Sequence, residues 1–171
     1  MGVWSVMRWW AGVVCAMAFT ACASVPEGDL QLQAHDWELV AAHDRAGAVQ
    51  AQGHPIGHER LRLQFAGQHI VVLHLCNRVS ARYEHTGRQL RVALPMATKR
   101  ACADSGLMAW EQQVLRQMPQ WQSYEWWAPS AGQEQGMPRL VLHSADGSRW
   151  EWRAVPKGSA DSVGVPEQRA P

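Results

Sequence analysis

Apolar and polar residues alternate along several short runs of this chain, which is the period of a half-buried strand. Trp37, Leu39 and Ala41 form the first run. Leu61, Leu63 and Phe65 interleave with Arg60, Arg62 and Gln64. Gly67 then turns the chain into Ile70-Val71-Val72-Leu73-His74-Leu75, which is more continuously apolar and reads as a central strand. Tyr83-Glu84-His85 and Gln89-Leu90-Arg91-Val92 flank Thr86-Gly87, a hairpin signal. Leu140-Val141-Leu142 and Trp150-Glu151-Trp152 flank Asp146-Gly147, a stronger one.

One segment changes period. Leu107, Trp110, Val114, Leu115 and Met118 recur at three- and four-residue spacing, with Asp104 or Ser105 available as N-cap and Pro119 to halt the run. This predicts one amphipathic helix laid on a sheet. Antiparallel strands, a helix, then more strands make an α+β domain.

Composition sharpens this in two ways. Leu, Ile, Val and Phe make up only 33 of 171 residues, a level that signals disorder when the net charge is large. Here the formal charge is +1 and ten Trp supply the missing bulk, so most of the chain is expected to fold. The same near-neutral charge excludes a nucleic-acid partner, whose phosphates demand a strong excess of Lys and Arg.

The first residues form a separate object. Arg8 is the only charged side chain before Glu27, and the apolar run from Trp9 to Phe19 follows it. That order is the pattern of an export signal, and the run is too short for a permanent spanning helix. The start lies at Met1 or at Met7. The run ends in Phe19-Thr20-Ala21-Cys22, which resembles the bacterial lipobox with Phe in place of the usual Leu. The resemblance implies cleavage after residue 21, acylation of Cys22 and firm anchoring by its acyl chains. With Ala23 next, it implies delivery to the periplasmic face of the outer membrane. The plainer alternative is an ordinary signal peptide cut nearby. Residues 22–34 then read as a polar tether, and residues 154–171, rich in Pro, Gly, Ser and Ala, as a disordered tail.

Once Cys15 leaves with the signal and Cys22 carries lipid, Cys76 and Cys102 remain. An even pair in an oxidising compartment points to one disulfide, with two buried thiols as the alternative.

At Cys76 the chain becomes specific. Trp37-Glu38-Leu39, then Leu73-His74-Leu75-Cys76-Asn77, then Tyr83, Gly87 and Leu90, then Pro95-Met96-Ala97-Thr98-Lys99-Arg100-Ala101-Cys102, then Trp110-Glu111 on the helix, is an ordered series. It resembles the META domain, the family of the heat-shock-inducible HslJ lipoproteins, over residues 35–153. The resemblance implies a strongly curved or partly closed antiparallel sheet with one packed helix. It also implies a non-catalytic envelope lipoprotein tied to stress or novobiocin-type tolerance, working by contact with another envelope component. A likeness of the fold to secretin-pilot lipoproteins suggests instead a carrier of lipid or apolar peptide. Two residues depart from the family pattern: Leu75 and Ala81 stand where Gly is common. The turn before Asn77 is therefore expected to differ, with Asn77 itself acting as a turn former.

Other chemistry is weakly supported. Among eight His, the tightest pair is His54-Pro55-Ile56-Gly57-His58, but Pro55 and Gly57 oppose the helix that would give the spacing meaning. A metal-dependent enzyme on His54 and His58 is thus a minor alternative. There is no Gly-x-Ser-x-Gly elbow, so no enzyme, metal or cofactor is expected. Trp126, Trp127, Trp150 and Trp152 divide between core packing and an apolar ligand surface. Arg60, Arg62, Arg78, Arg82, Arg88, Arg91, Lys99 and Arg100 read as a solvated sheet face, with anionic head groups as the other possibility.

Overall fold

The computed structural model describes residues 27–51, 58–129 and 136–158. Cys22, His54 and most of the expected tail lie outside the described residues. Among the described residues, ten strands and two α-helices follow the order α1 (Glu27–Ala34), β1 (Asp36–His43), β2 (Val49–Ala51), β3 (Arg62–Ala66), β4 (His69–Leu73), β5 (Val79–Thr86), β6 (Gln89–Val92), β7 (Met96–Ala97), α2 (Ser105–Gln117), β8 (Trp121–Trp127), β9 (Arg139–Ser144) and β10 (Arg149–Val155).

Eight of these strands close into a barrel. β1, β3, β4, β5, β6, β8, β9 and β10 pair antiparallel in that order, and β10 returns to β1 along its whole length. β2 adds to β1 and β7 to β5. Closure removes the sheet edges, so the curved sheet expected from the family resemblance is here a complete ring. Eight strands leave an interior just wide enough to be filled by side chains. Trp37, Leu39, Leu63, Ile70, Val72, Trp121, Leu140, Leu142, Trp150 and Trp152 fill it, each at most 2% exposed.

The alternation reads through to the wall. In β3 the buried positions are Leu63 and Phe65, and in β4 Ile70, Val71 and Val72 are all buried. The β5–β6 and β9–β10 hairpins turn at Gly87 (φ 58°) and Gly147 (φ 85°), where a left-handed backbone favours glycine.

β1 breaks the rule at one place. Leu39 pairs with Trp152 and Ala41 with Glu151, so Val40 is a bulge that points outward, 39% exposed. The residue that enters the core is Ala42, one position beyond the expected Ala41.

The two helices close opposite ends. α2 begins at Asp104, whose Oδ1 accepts from the Leu107 amide at 2.8 Å. It buries Trp110, Glu111 and Val114, and Pro119 converts its exit into a single 3-10 turn, Met118–Gln120. Gln117 Nε2 donates to Ser144 Oγ and Ser148 Oγ at 2.6 and 2.7 Å, which fastens the helix to the β9–β10 turn.

The stretch expected as a tether ends in structure. Residues 27–34 form α1, Leu32 is 1% exposed, and Trp37 Nε1 donates to the Leu32 carbonyl at 2.9 Å. The expected tail is likewise shortened at its start. Ala154 is buried in β10, and the Gly158 amide donates to the buried carboxylate of Asp36 at 3.0 Å. Both corrections have one cause: a short polar stretch reads as loop, but a single Leu or a single amide anchors it to the barrel.

Candidate functional site

The family-like motifs converge at the α2 end of the barrel. Cys76 and Cys102 are joined in a disulfide with Cα atoms 5.7 Å apart. Immediately beside it, Asn77 bonds through its backbone amide, its side-chain nitrogen and its side-chain oxygen. Its backbone amide donates to Glu111 Oε2 at 2.8 Å and its side-chain nitrogen to the same carboxylate at 3.1 and 3.2 Å. Its side-chain oxygen accepts from the Arg100 amide at 2.7 Å and from Thr98 Oγ1 at 3.0 Å. Thr98 Oγ1 in turn accepts from the Arg78 amide at 3.2 Å. Asn77 was expected to bond nearby backbone. It instead ties three distant segments together, and Glu111, 8% exposed, is its main partner.

That role for Glu111 left a trace in the sequence. It lies four residues after Leu107 and three before Val114, on the buried side of the helix, where a carboxylate needs a partner.

The turn before Asn77 reaches a left-handed conformation without Gly. His74 adopts φ 65°, a region that favours His among residues with a side chain. Its Nδ1 contacts the Arg60 carbonyl at 2.8 Å and its Nε2 stands 3.0 Å from Glu59. The left-handed residue of this turn is His74 and not Leu75.

Asp104 closes the same region. The Leu107 amide holds its carboxyl below the ordinary range, and His58, 2.9 Å away, adds to the effect. Asp146 is lowered too, first by the Ser148 hydroxyl and then by the Ser148 amide. Of the expected metal pair, His54 lies outside the described residues, and His58 contacts a single carboxylate. Among the described residues no cluster of three or more metal-type ligands occurs.

The tryptophans separate sharply. Trp150 and Trp152, offered by the sequence as part of a ligand surface, are 2% and 1% exposed. They stack on each other at 6.0 Å, and Trp121 meets both edge-on at 5.9 and 6.5 Å. Trp110 of α2 meets Trp150 edge-on at 6.2 Å. This four-ring packing replaces the scarce aliphatic residues, so the pair belongs to the core. Trp126 faces inward, half-buried against that core. Trp127 is 49% exposed on the outer wall. With Val40, Val141, Arg139 and Glu151 it lines a shallow depression of about 290 Å³.

The basic residues divide as well. Arg60 and Arg153 both reach Glu38, and Arg62 approaches Asp36 at 3.9 Å. Arg78, Arg82, Arg88, Arg91, Lys99 and Arg100 are exposed.

The META domain family model matches residues 30–156. The chain belongs to the META domain family. An NMR structure of a protein from Burkholderia xenovorans superposes with TM-score 0.60 at 18% identity, over 88% of this chain and 99% of its own. A crystal structure of a DUF4847-family protein from Bacteroides vulgatus gives TM-score 0.49 at 9% identity, over 74% of this chain and 96% of its own. No curated protein matches significantly. At 18% identity the first likeness is one of fold. The family match starts at residue 30, inside α1, so this META domain includes part of the stretch expected as tether.

Proposed function

We propose that this META domain is the folded part of a non-catalytic lipoprotein. It is held by acylated Cys22 on the periplasmic face of the outer membrane and acts there by contact with another envelope component. Its likeness to the HslJ lipoproteins supports reading that contact as one made in envelope stress or novobiocin-type tolerance. The observation that carries the reading is the Cys76–Cys102 disulfide, because such bonds persist in oxidising compartments and are rare in the cytosol. The signal-like run ending in Phe19-Thr20-Ala21-Cys22 supplies the route to that compartment.

The alternative of a carrier holding lipid or peptide inside a tryptophan-lined cleft is less well supported, since the barrel interior is filled by Trp121, Trp150, Trp152 and their neighbours. A surface role is what such a filled barrel offers. The test is processing: globomycin treatment should accumulate the unprocessed precursor, and Cys22→Ser should release the protein from membranes. Unchanged processing together with membrane retention of Cys22→Ser would refute the anchor. Crosslinking of the lipidated protein in intact envelopes, followed by pull-down, should recover a specific partner. Recovery of none would refute the contact role.

A further inference from the structure

Strand register shows which surfaces share an end of the barrel. Asp36 at the start of β1 pairs with Val155, Arg153 pairs with Arg139, and Arg139 pairs with Trp127. The entry of β1, the exit of β8, the entry of β9 and the exit of β10 therefore lie together, and α1 leads into them. The β5–β6 hairpin joins the same end, because Gln89 pairs with Ser123 and Tyr124 Oη donates to the Gly87 carbonyl at 3.1 Å.

We propose that this α1 end of the barrel lies against the headgroups of the anchoring membrane, with Trp127 and Met137 entering the interface and Arg88, Arg139 and Lys157 facing lipid phosphates. The proposal rests on the reading that Cys22 is acylated. Only residues 23–26 separate Cys22 from Glu27, the first residue of α1. Fully extended, that stretch spans at most about 18 Å. The eight residues of β1 rise about 20 Å along a barrel axis after a tilt of about 40°. A tether no longer than the barrel is tall keeps the α1 end the nearer one.

The chemistry of that end suits a lipid interface. Trp127 is 49% exposed and Met137 60% exposed. An indole with an apolar body and a polar N–H is comfortable at headgroup depth. The depression beside Trp127 continues the apolar surface past Val141 to Val40. Arg139 lines it, Arg88 and Lys157 are exposed at the same end of the barrel, and guanidinium forks match phosphate oxygens. α1 carries two acids, Glu27 and Asp29, whereas those of the strands at this end are compensated. Asp36 is buried and accepts from Gln64 and Gly158, Glu38 meets Arg60 and Arg153, and Glu84 stands opposite Arg91. The other exposed large apolar side chains among the described residues, Val49, Leu94, Met96 and Met108, lie toward the opposite end, on β2, after the exit of β6, on β7 and on α2. The short tether from Cys22 to α1 keeps that opposite end away from the bilayer and leaves it free for the envelope partner.

The test uses the full lipidated protein in vesicles of phosphatidylethanolamine and phosphatidylglycerol with brominated acyl chains. A fluorophore is placed at Met137→Cys, Lys157→Cys or Met108→Cys, and flotation reports anchoring. The expected result is quenching several-fold stronger at positions 137 and 157 than at 108. Equal quenching at all three in protein that floats overturns the proposed face and leaves the anchor standing. Protein that does not float removes the anchor and the proposal with it. Shielding at 137 that follows surface density and not bromine would mean that a second copy covers this end, and would also overturn it.

Discussion

The main-chain and side-chain amides of Asn77 both donate to the carboxylate of Glu111, at 2.8 and 3.1 Å, across 34 residues of sequence. Each partner is polar, at least half-buried and dependent on the other. Removing either leaves buried groups without a mate, which costs more than the bond itself contributes.

Asn77→Ala and Glu111→Ala should therefore each lower unfolding stability by about 2–3 kcal/mol. The double variant should fall short of the sum by about 1 kcal/mol or more. Urea denaturation of the four proteins reads the cycle. Strict additivity would show that the two residues act separately.

The disulfide closes a separation of 26 residues and should contribute about 3 kcal/mol through the unfolded chain. Cys76→Ala and Cys102→Ala should be destabilised alike, and reductant should lower the wild-type melting temperature to the level of either variant. Melting that ignores reductant would contradict the bond's role.

Acid should weaken the fold through two carboxylates, the Asp104 helix cap and the Asp146 turn. Asp104 and Asp146 both titrate below the ordinary carboxylate value. Their contribution is complete above the unfolded pKa of about 3.9 and is lost as pH falls through the lower folded values. Asp104→Asn keeps a capping side chain without the charge, so its stability should fall less steeply on acidification than wild type. Parallel acid limbs for the two proteins would count against this.

Trp150→Ala should cost about 3–5 kcal/mol, as removal of a core ring does. Trp127→Ala should stay within about 0.5–1 kcal/mol, because its ring is half in solvent. Thermal melts of the purified domain decide this, and similar losses at the two positions would mean that Trp127 belongs to the core.

The strands read best where one face is uniformly buried, as in Leu63 and Phe65 or the run Ile70 to Val72, and α2 was legible from its period and its Asp104 cap. What escaped had weak or broken patterns. β8 carries Trp126 and Trp127 side by side, and its register shifts between Trp121 and Ser123, so no alternation marks it. The bulge at Val40 moved the inward position from Ala41 to Ala42. α1 offers the described core one residue, Leu32, too little for a period.

At the candidate site, the cysteines and Asn77 are visible as a series, but the carboxylate that satisfies Asn77 lies on a helix whose apolar period marks it only as a packing element. The fate of Trp150 and Trp152 was open because alternation places both rings on one face without saying which. The shortage of Leu, Ile and Phe was the signal that the core needed them.

The proposed lipid anchor and extracytoplasmic site of this disulfide-closed META domain meet in one chemical species, the mature polypeptide. Intact-mass analysis of the protein isolated from membranes, with peptide mapping, tests it most directly. The expected species is a mature chain that begins at acylated Cys22 and contains a Cys76–Cys102 bond. A chain that begins at Met1 or Met7, carries no lipid and holds both thiols reduced would contradict it.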